Sequence, residues 1–127
     1  MPSDIPRGPR QILAAAKWSW AGLRACFRYE ASFRLEFYLF ILLVPLAFWL
    51  AESLWQLWML IGSMVLVLVV EVLNSAIEAV VDLVVGEQRH ALAGRAKDMG
   101  SAAVFLSQLL VVFTWGLVIY QNYWAAA

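Results

Sequence analysis

The stretch EVLNSAIEAVVD (Glu71 to Asp82) sets three carboxylates, an amide and a hydroxyl directly after the apolar run LWQLWMLIGSMVLVLVV. At helical pitch, Glu71, Asn74, Ser75, Glu78 and Asp82 fall within an arc of about 100°. Val72, Leu73, Ile77, Val80 and Val81 take the rest of the circumference. Inside a lipid-spanning helix, a polar stripe of this kind faces protein or water, not acyl chains. An isolated acid would be read as pairing with a neighbouring Arg or Lys. Several acids and an amide on one face read instead as a site. Such hard oxygen donors suit Mg²⁺, which takes one or two carboxylates and completes its shell with phosphate oxygens and water.

Two further groups stand at a similar depth. Glu30 is a candidate ligand, and Lys97 with Asp98 puts a cation and an anion at the same level. A cation there can hold a phosphate; it can equally be an interfacial anchor, as can Arg95. His90 is expected to be a solvated loop residue, and the single cysteine, Cys26, to serve packing.

The elements that must position these groups follow from composition. Of 127 residues, 64% are hydrophobic and 14% charged. The mean hydropathy of +0.77 is too apolar for an ordinary soluble domain. The length predicts one domain, residues 1–127. A formal net charge of zero argues against a nucleic-acid partner. The N-terminal MPSDIPRGPR is not followed by the apolar core of a signal peptide.

The pattern predicts an all-α membrane protein with four helices: a surface helix over residues 9–29 and spans over 33–51, 54–85 and 98–124. In the first helix Ile12, Ala16, Trp20, Leu23 and Phe27 share one face, and Arg10, Lys17, Arg24 and Arg28 another. That segregation suits the plane of a membrane surface; packing on the protein's own polar end is the alternative. The first span contains Pro45, a possible kink, and Glu52–Ser53 is a minimal turn. The second span closes at Gly86 and, at about 48 Å, must project beyond a ~30 Å hydrocarbon core. Glu71 then lies roughly 25 Å along its axis from Leu54, just inside the boundary, with Glu78 about 10 Å further on. Gly100, Ala102, Ala103 and Ser107 allow close helix contact in the third span. Arg7, Arg10, Lys17, Arg24, Arg28, Arg34, Arg89, Arg95 and Lys97 all fall on one side. The positive-inside rule makes that side cytoplasmic, with the N-terminus in and the C-terminus out. Trp49, Trp55, Trp58, Tyr123 and Trp124 form the outer aromatic belt.

No phosphate-binding loop, GxGxxG or kinase catalytic loop is present, so the residues alone name no reaction. The blocks SWAGLRACFRYEASFRLE, EVLNSAIEAVVD and GRAKDMGSAAV, in order and over nearly the whole chain, resemble those of the bacterial integral-membrane diacylglycerol kinases. RAKDMGSAAV resembles that branch more than the related undecaprenol kinases of Gram-positive bacteria.

The resemblance implies a homotrimer in the bacterial inner membrane with shared active sites. It also implies transfer of the ATP γ-phosphate, with Mg²⁺, to the primary hydroxyl of diacylglycerol. By motif, Glu71 would be the general base, and Glu30 and Glu78 would hold the metal, assisted by Asn74. Lys97, Asp98, Asn74, Glu87, Gln88, Arg89, Arg10 and Trp18 would meet the nucleotide. Glu36, Ser101, Trp49 and Arg34 would line the lipid side. The chain departs from the pattern in two places. Gln11 stands where the family has an arginine, with Arg10 adjacent, and the GEQRH connection is one residue longer and has Gln88 in place of an acid. A polyprenol kinase would use the same acids. A small cation or proton transporter subunit is the non-enzyme alternative, but it would place acids near the midplane or show an inverted repeat.

Overall fold

The computed structural model describes residues 8–125; Arg7, counted above among the basic residues, lies outside them. Four helices follow one another: α1 Pro9–Tyr29, α2 Ala31–Leu50, α3 Leu54–Val85 and α4 Ala91–Tyr123. α2, α3 and α4 are each long and apolar enough to cross a membrane.

Local chemistry sets most of the boundaries. Pro9 opens α1, where a missing backbone N–H costs nothing. Between α1 and α2 stands a single extended residue, Glu30 (φ −105°, ψ 112°), which ends one helix and begins the next. α2 runs through Pro45 without interruption, as neighbouring helices permit in a membrane bundle. The expected turn at Glu52–Ser53 is present: the Ser53 hydroxyl accepts from Gln56 N at 3.2 Å and caps α3. α3 ends at Gly86, whose φ of 58° is the left-handed conformation that a side chain resists.

The start of α4 differs from the sequence reading. The helix begins at Ala91, upstream of the expected span at Asp98, because His90 caps it: Nδ1 accepts from Leu92 N at 3.2 Å. His90 is thus a helix terminus as well as an exposed residue.

α3 and α4 are the closest pair. The contacts Asp82–Lys97, Asn74–Gly100 and Gln56–Asn122 run in opposite senses along the two helices, so the pair is an antiparallel hairpin. α4 turns Gly100, Ser107, Trp115 and Val118 inward, at successive spacings of seven, eight and three residues that keep all four on one stripe. Of the small residues expected at close contacts, Gly100 and Ser107 are buried, whereas Ala102 and Ala103 are exposed in the single chain. The apolar core joins Ala47 and Leu50 of α2, Leu60 and Met64 of α3, and Trp115 and Val118 of α4. With lipid as apolar as leucine, such a seam holds by packing rather than by a hydrophobic driving force.

Polar groups in the seam are satisfied locally or across it. The Ser63 and Ser107 hydroxyls donate to carbonyls one turn back, Leu60 O at 2.9 Å and Val104 O at 2.7 Å. At the aromatic-rich end, Gln56 Nε2 donates to Asn122 Oδ1 at 2.7 Å, and Asn122 Nδ2 donates to Leu50 O at 2.8 Å. Glu52 N donates to Gln56 Oε1 at 2.8 Å, so two side chains tie the α2–α3 turn to the end of α4. Trp49, Trp55, Trp58, Tyr123 and Trp124 are all exposed around this same end.

Candidate active site

The acidic stripe occupies the half of α3 nearer Gly86. Glu71 is buried, with only 4% of its surface accessible, although it is a carboxylate on a helix made largely of valine and leucine. Ser75, one turn on, is buried beside it. Asn74 Nδ2 donates to Glu78 Oε1 at 3.0 Å, a pair four residues apart on one helix face. Asn74 Oδ1 is buried with no hydrogen-bond partner and lies against Gly100 of α4. The sequence spacing therefore translates into one continuous polar face, and α4 leaves room for it where it lacks a side chain.

Carboxylates from two other elements reach the same region. Glu36, Glu78 and Glu30 are the charges that act on Glu71, in that order. Glu36 on α2 is held by Gln108 of α4, whose Nε2 donates to its Oε1. Glu30 is placed by the one-residue joint described above. Arg34 Nη1 donates to Phe27 O at 3.1 Å and Arg28 O at 3.0 Å, closing the free carbonyls at the end of α1 with a cation. Cys26, half-buried near the same end, has its thiol pKa raised by burial first and by the Glu30 charge second, with Glu71 contributing last. Sequence reasoning singled out neither Gln108 nor the capping role of Arg34. Both act across helices or against a backbone, and no local period marks such contacts.

A second group forms beyond the stripe. Asp82, Gln88, Arg89, His90 and Lys97 line an open cleft of about 460 Å³ between the polar ends of α3 and α4, floored by Val81, Val85 and Ala93. Lys97 Nζ lies 2.6 Å from Asp82 Oδ1. Lys97, Gln88 and Arg89, expected together at a nucleotide, thus line one cleft.

Other expected site residues are not gathered in the single chain. Asp98, Ser101 and Glu87 are exposed, as are Arg10 and Trp18 on α1. Trp49 stands at the opposite end of α2 from Glu36, about 20 Å along the axis. Among the described residues, no three His, Cys, Asp or Glu side chains converge into a metal cage. The Glu71 and Glu78 carboxylates share one face of α3, with Asn74 Nδ2 on Glu78, and carboxylate oxygens are hard donors, which fits a cation that keeps water and phosphate in its shell.

Against known proteins, residues 17–119 match the family model described as prokaryotic diacylglycerol kinase. The diacylglycerol kinase of Escherichia coli (strain K12) is 47% identical over 116 residues, covering 91% of this chain and 94% of that protein. That of Pseudomonas aeruginosa is 46% identical over 112 residues, 88% of this chain and 90% of its own. That of Haemophilus influenzae is 42% identical over 113 residues, 89% and 95% respectively. These matches span the acidic stripe, the Glu30 joint and the cleft alike, and the chain belongs to the prokaryotic diacylglycerol kinase family.

Proposed function

We propose that this membrane kinase transfers the γ-phosphoryl group of ATP to the primary hydroxyl of diacylglycerol, giving phosphatidic acid and ADP. The observation that carries the reading is the burial of Glu71 at the inner end of a polar stripe that leads outward to the Lys97 cleft. A lipid alcohol and a water-soluble nucleotide need such a graded path, apolar at one end and charged at the other.

In this reading the Glu71 carboxylate accepts the hydroxyl proton as the new O–P bond forms and the bond to ADP breaks. Glu78, oriented by Asn74, and Glu30 hold Mg²⁺, which when bound offsets the charge of the nucleotide phosphates. Lys97, Arg89 and Gln88 bind the nucleotide in the cleft, joined by Asp98, Glu87, Arg10 and Trp18. Glu36 and Ser101 take the lipid headgroup side, with Arg34 and Trp49 further along α2. The one-sided basic residues support a cleft at the cytoplasmic face of the inner membrane, with α1 in the interfacial plane and the C-terminus outside. A homotrimer supplies what one chain leaves open, bringing the exposed Asp98 and Ser101 of one copy to the acids of another.

The test is purified protein in lipid nanodiscs with Mg-ATP, offered diacylglycerol or undecaprenol in parallel. Turnover of diacylglycerol well above undecaprenol is expected. Phosphorylation of undecaprenol alone would overturn the substrate assignment, and dependence on no divalent ion would overturn the metal.

A further inference from the structure

We infer that Gly100 is a positioning residue of the acidic site, acting through Asn74 on Glu78. A Cβ built on Gly100 falls 2.1 Å from Asn74 Oδ1 and 3.2 Å from Asn74 Cγ. No real side chain tolerates such a contact, so alanine, the smallest substitute, forces the amide to move. The amide cannot move one end alone. Its plane is rigid, with Oδ1 on the Gly100 side and Nδ2 donating to Glu78 Oε1 at 3.0 Å. Displacing Oδ1 therefore displaces the donor that orients Glu78.

The reverse orientation of the amide is closed off by charge. It would set the carbonyl oxygen against the Glu78 carboxylate, two acceptors facing one another. Oδ1 is buried and unpartnered and lies against Gly100, where a Cα–H contact is the available compensation. Gly100 is itself buried in the α3–α4 seam, so neither helix can step aside without opening the pair. The missing side chain on α4 is thus part of the geometry of a carboxylate on α3.

What Glu78 does rests on the proposed metal role; the geometric coupling does not, and the experiment separates the two. The chain has two asparagines, Asn74 and Asn122, so ¹⁵N-asparagine labelling gives two side-chain amide signals in nanodiscs, at opposite ends of the bundle. Gly100→Ala is expected to shift the Asn74 signal and leave the Asn122 signal in place. An unmoved Asn74 signal would overturn the coupling whether or not the protein is a kinase. In the lipid-kinase assay, Gly100→Ala is expected to lower apparent Mg²⁺ affinity about tenfold, the size of effect neighbouring groups show in double-mutant cycles. In an Asn74→Ala background, which removes the obstructing amide, the same change is expected to cost less than about twofold. Equal losses in both backgrounds would show that Gly100 acts by general packing and would also overturn the inference. The double variant regains the space, so it keeps the test readable where Gly100→Ala alone folds poorly.

Discussion

Lys97 on α4 holds Asp82 on α3 at 2.6 Å, and both line the cleft in which the nucleotide is proposed to sit. Both side chains are well exposed, so water and salt screen the pair and it adds little to the hairpin. Its interest is competition: a carboxylate occupies the cation that a phosphate needs. Lys97→Met is expected to raise KM for ATP about tenfold or more, in line with loss of one charge-assisted contact. Asp82→Asn releases the cation and is expected to lower KM for ATP, with Tm nearly unchanged in both variants. Initial rates against ATP concentration decide it; an equal rise in KM for the two would make the ion pair itself, not the free cation, the working unit.

Glu71→Gln keeps shape and volume and removes the proton acceptor. Turnover of diacylglycerol is expected to fall by about 10²-fold or more, the usual scale for a general base, while the elution volume in size-exclusion chromatography is unchanged. Glu78→Gln is expected instead to raise the Mg²⁺ concentration needed for half-maximal rate. If Glu71→Gln kept most of its kcat, proton acceptance would have to be assigned elsewhere.

The polar clasp at the far end bears on stability alone. Asn122→Ala leaves Gln56 Nε2 short of its 2.7 Å partner and frees Leu50 O. A loss of about 1–2 kcal/mol is expected, since Leu50 O loses its side-chain donor and Gln56 Nε2 keeps only the 3.4 Å contact to Gln121. Unfolding in mixed micelles measures it. kcat at low temperature is expected to hold, because the acids lie at the other end of the bundle.

Cys26 reports on the acidic site without taking part in it. Burial and the Glu30 charge keep its thiol protonated to higher pH than usual, so less thiolate is present at any given pH. Removing that charge in Glu30→Gln lowers the thiol pKa and is expected to speed alkylation at pH 8. A maleimide rate that does not change would place Glu30 outside the electrostatic reach of Cys26.

Much of this fold was legible because its elements write themselves into local patterns. The stripe from Glu71 to Asp82, the Ser53 turn and the Gly86 stop all depend on residues within a few positions of one another. The start of α4 was not legible, because hydropathy registers contact with lipid rather than helicity. Arg95, Lys97 and Asp98 made the first turns look like a loop, while Ala91, Ala93 and Ala96 are good helix formers behind a His90 cap. The cross-helix partners were hidden for a different reason. Gln108 with Glu36, Asn122 with Gln56 and Gly100 with Asn74 meet only through the antiparallel register of the spans, and a single chain's periodicity carries no record of its partner's face.

One residue separates α1 from α2, and a cation on α2 clips the end of α1. There is no slack between them. Any reorientation of α2 against α1 must therefore pass through the backbone of Glu30, the residue that both helices share as their cap.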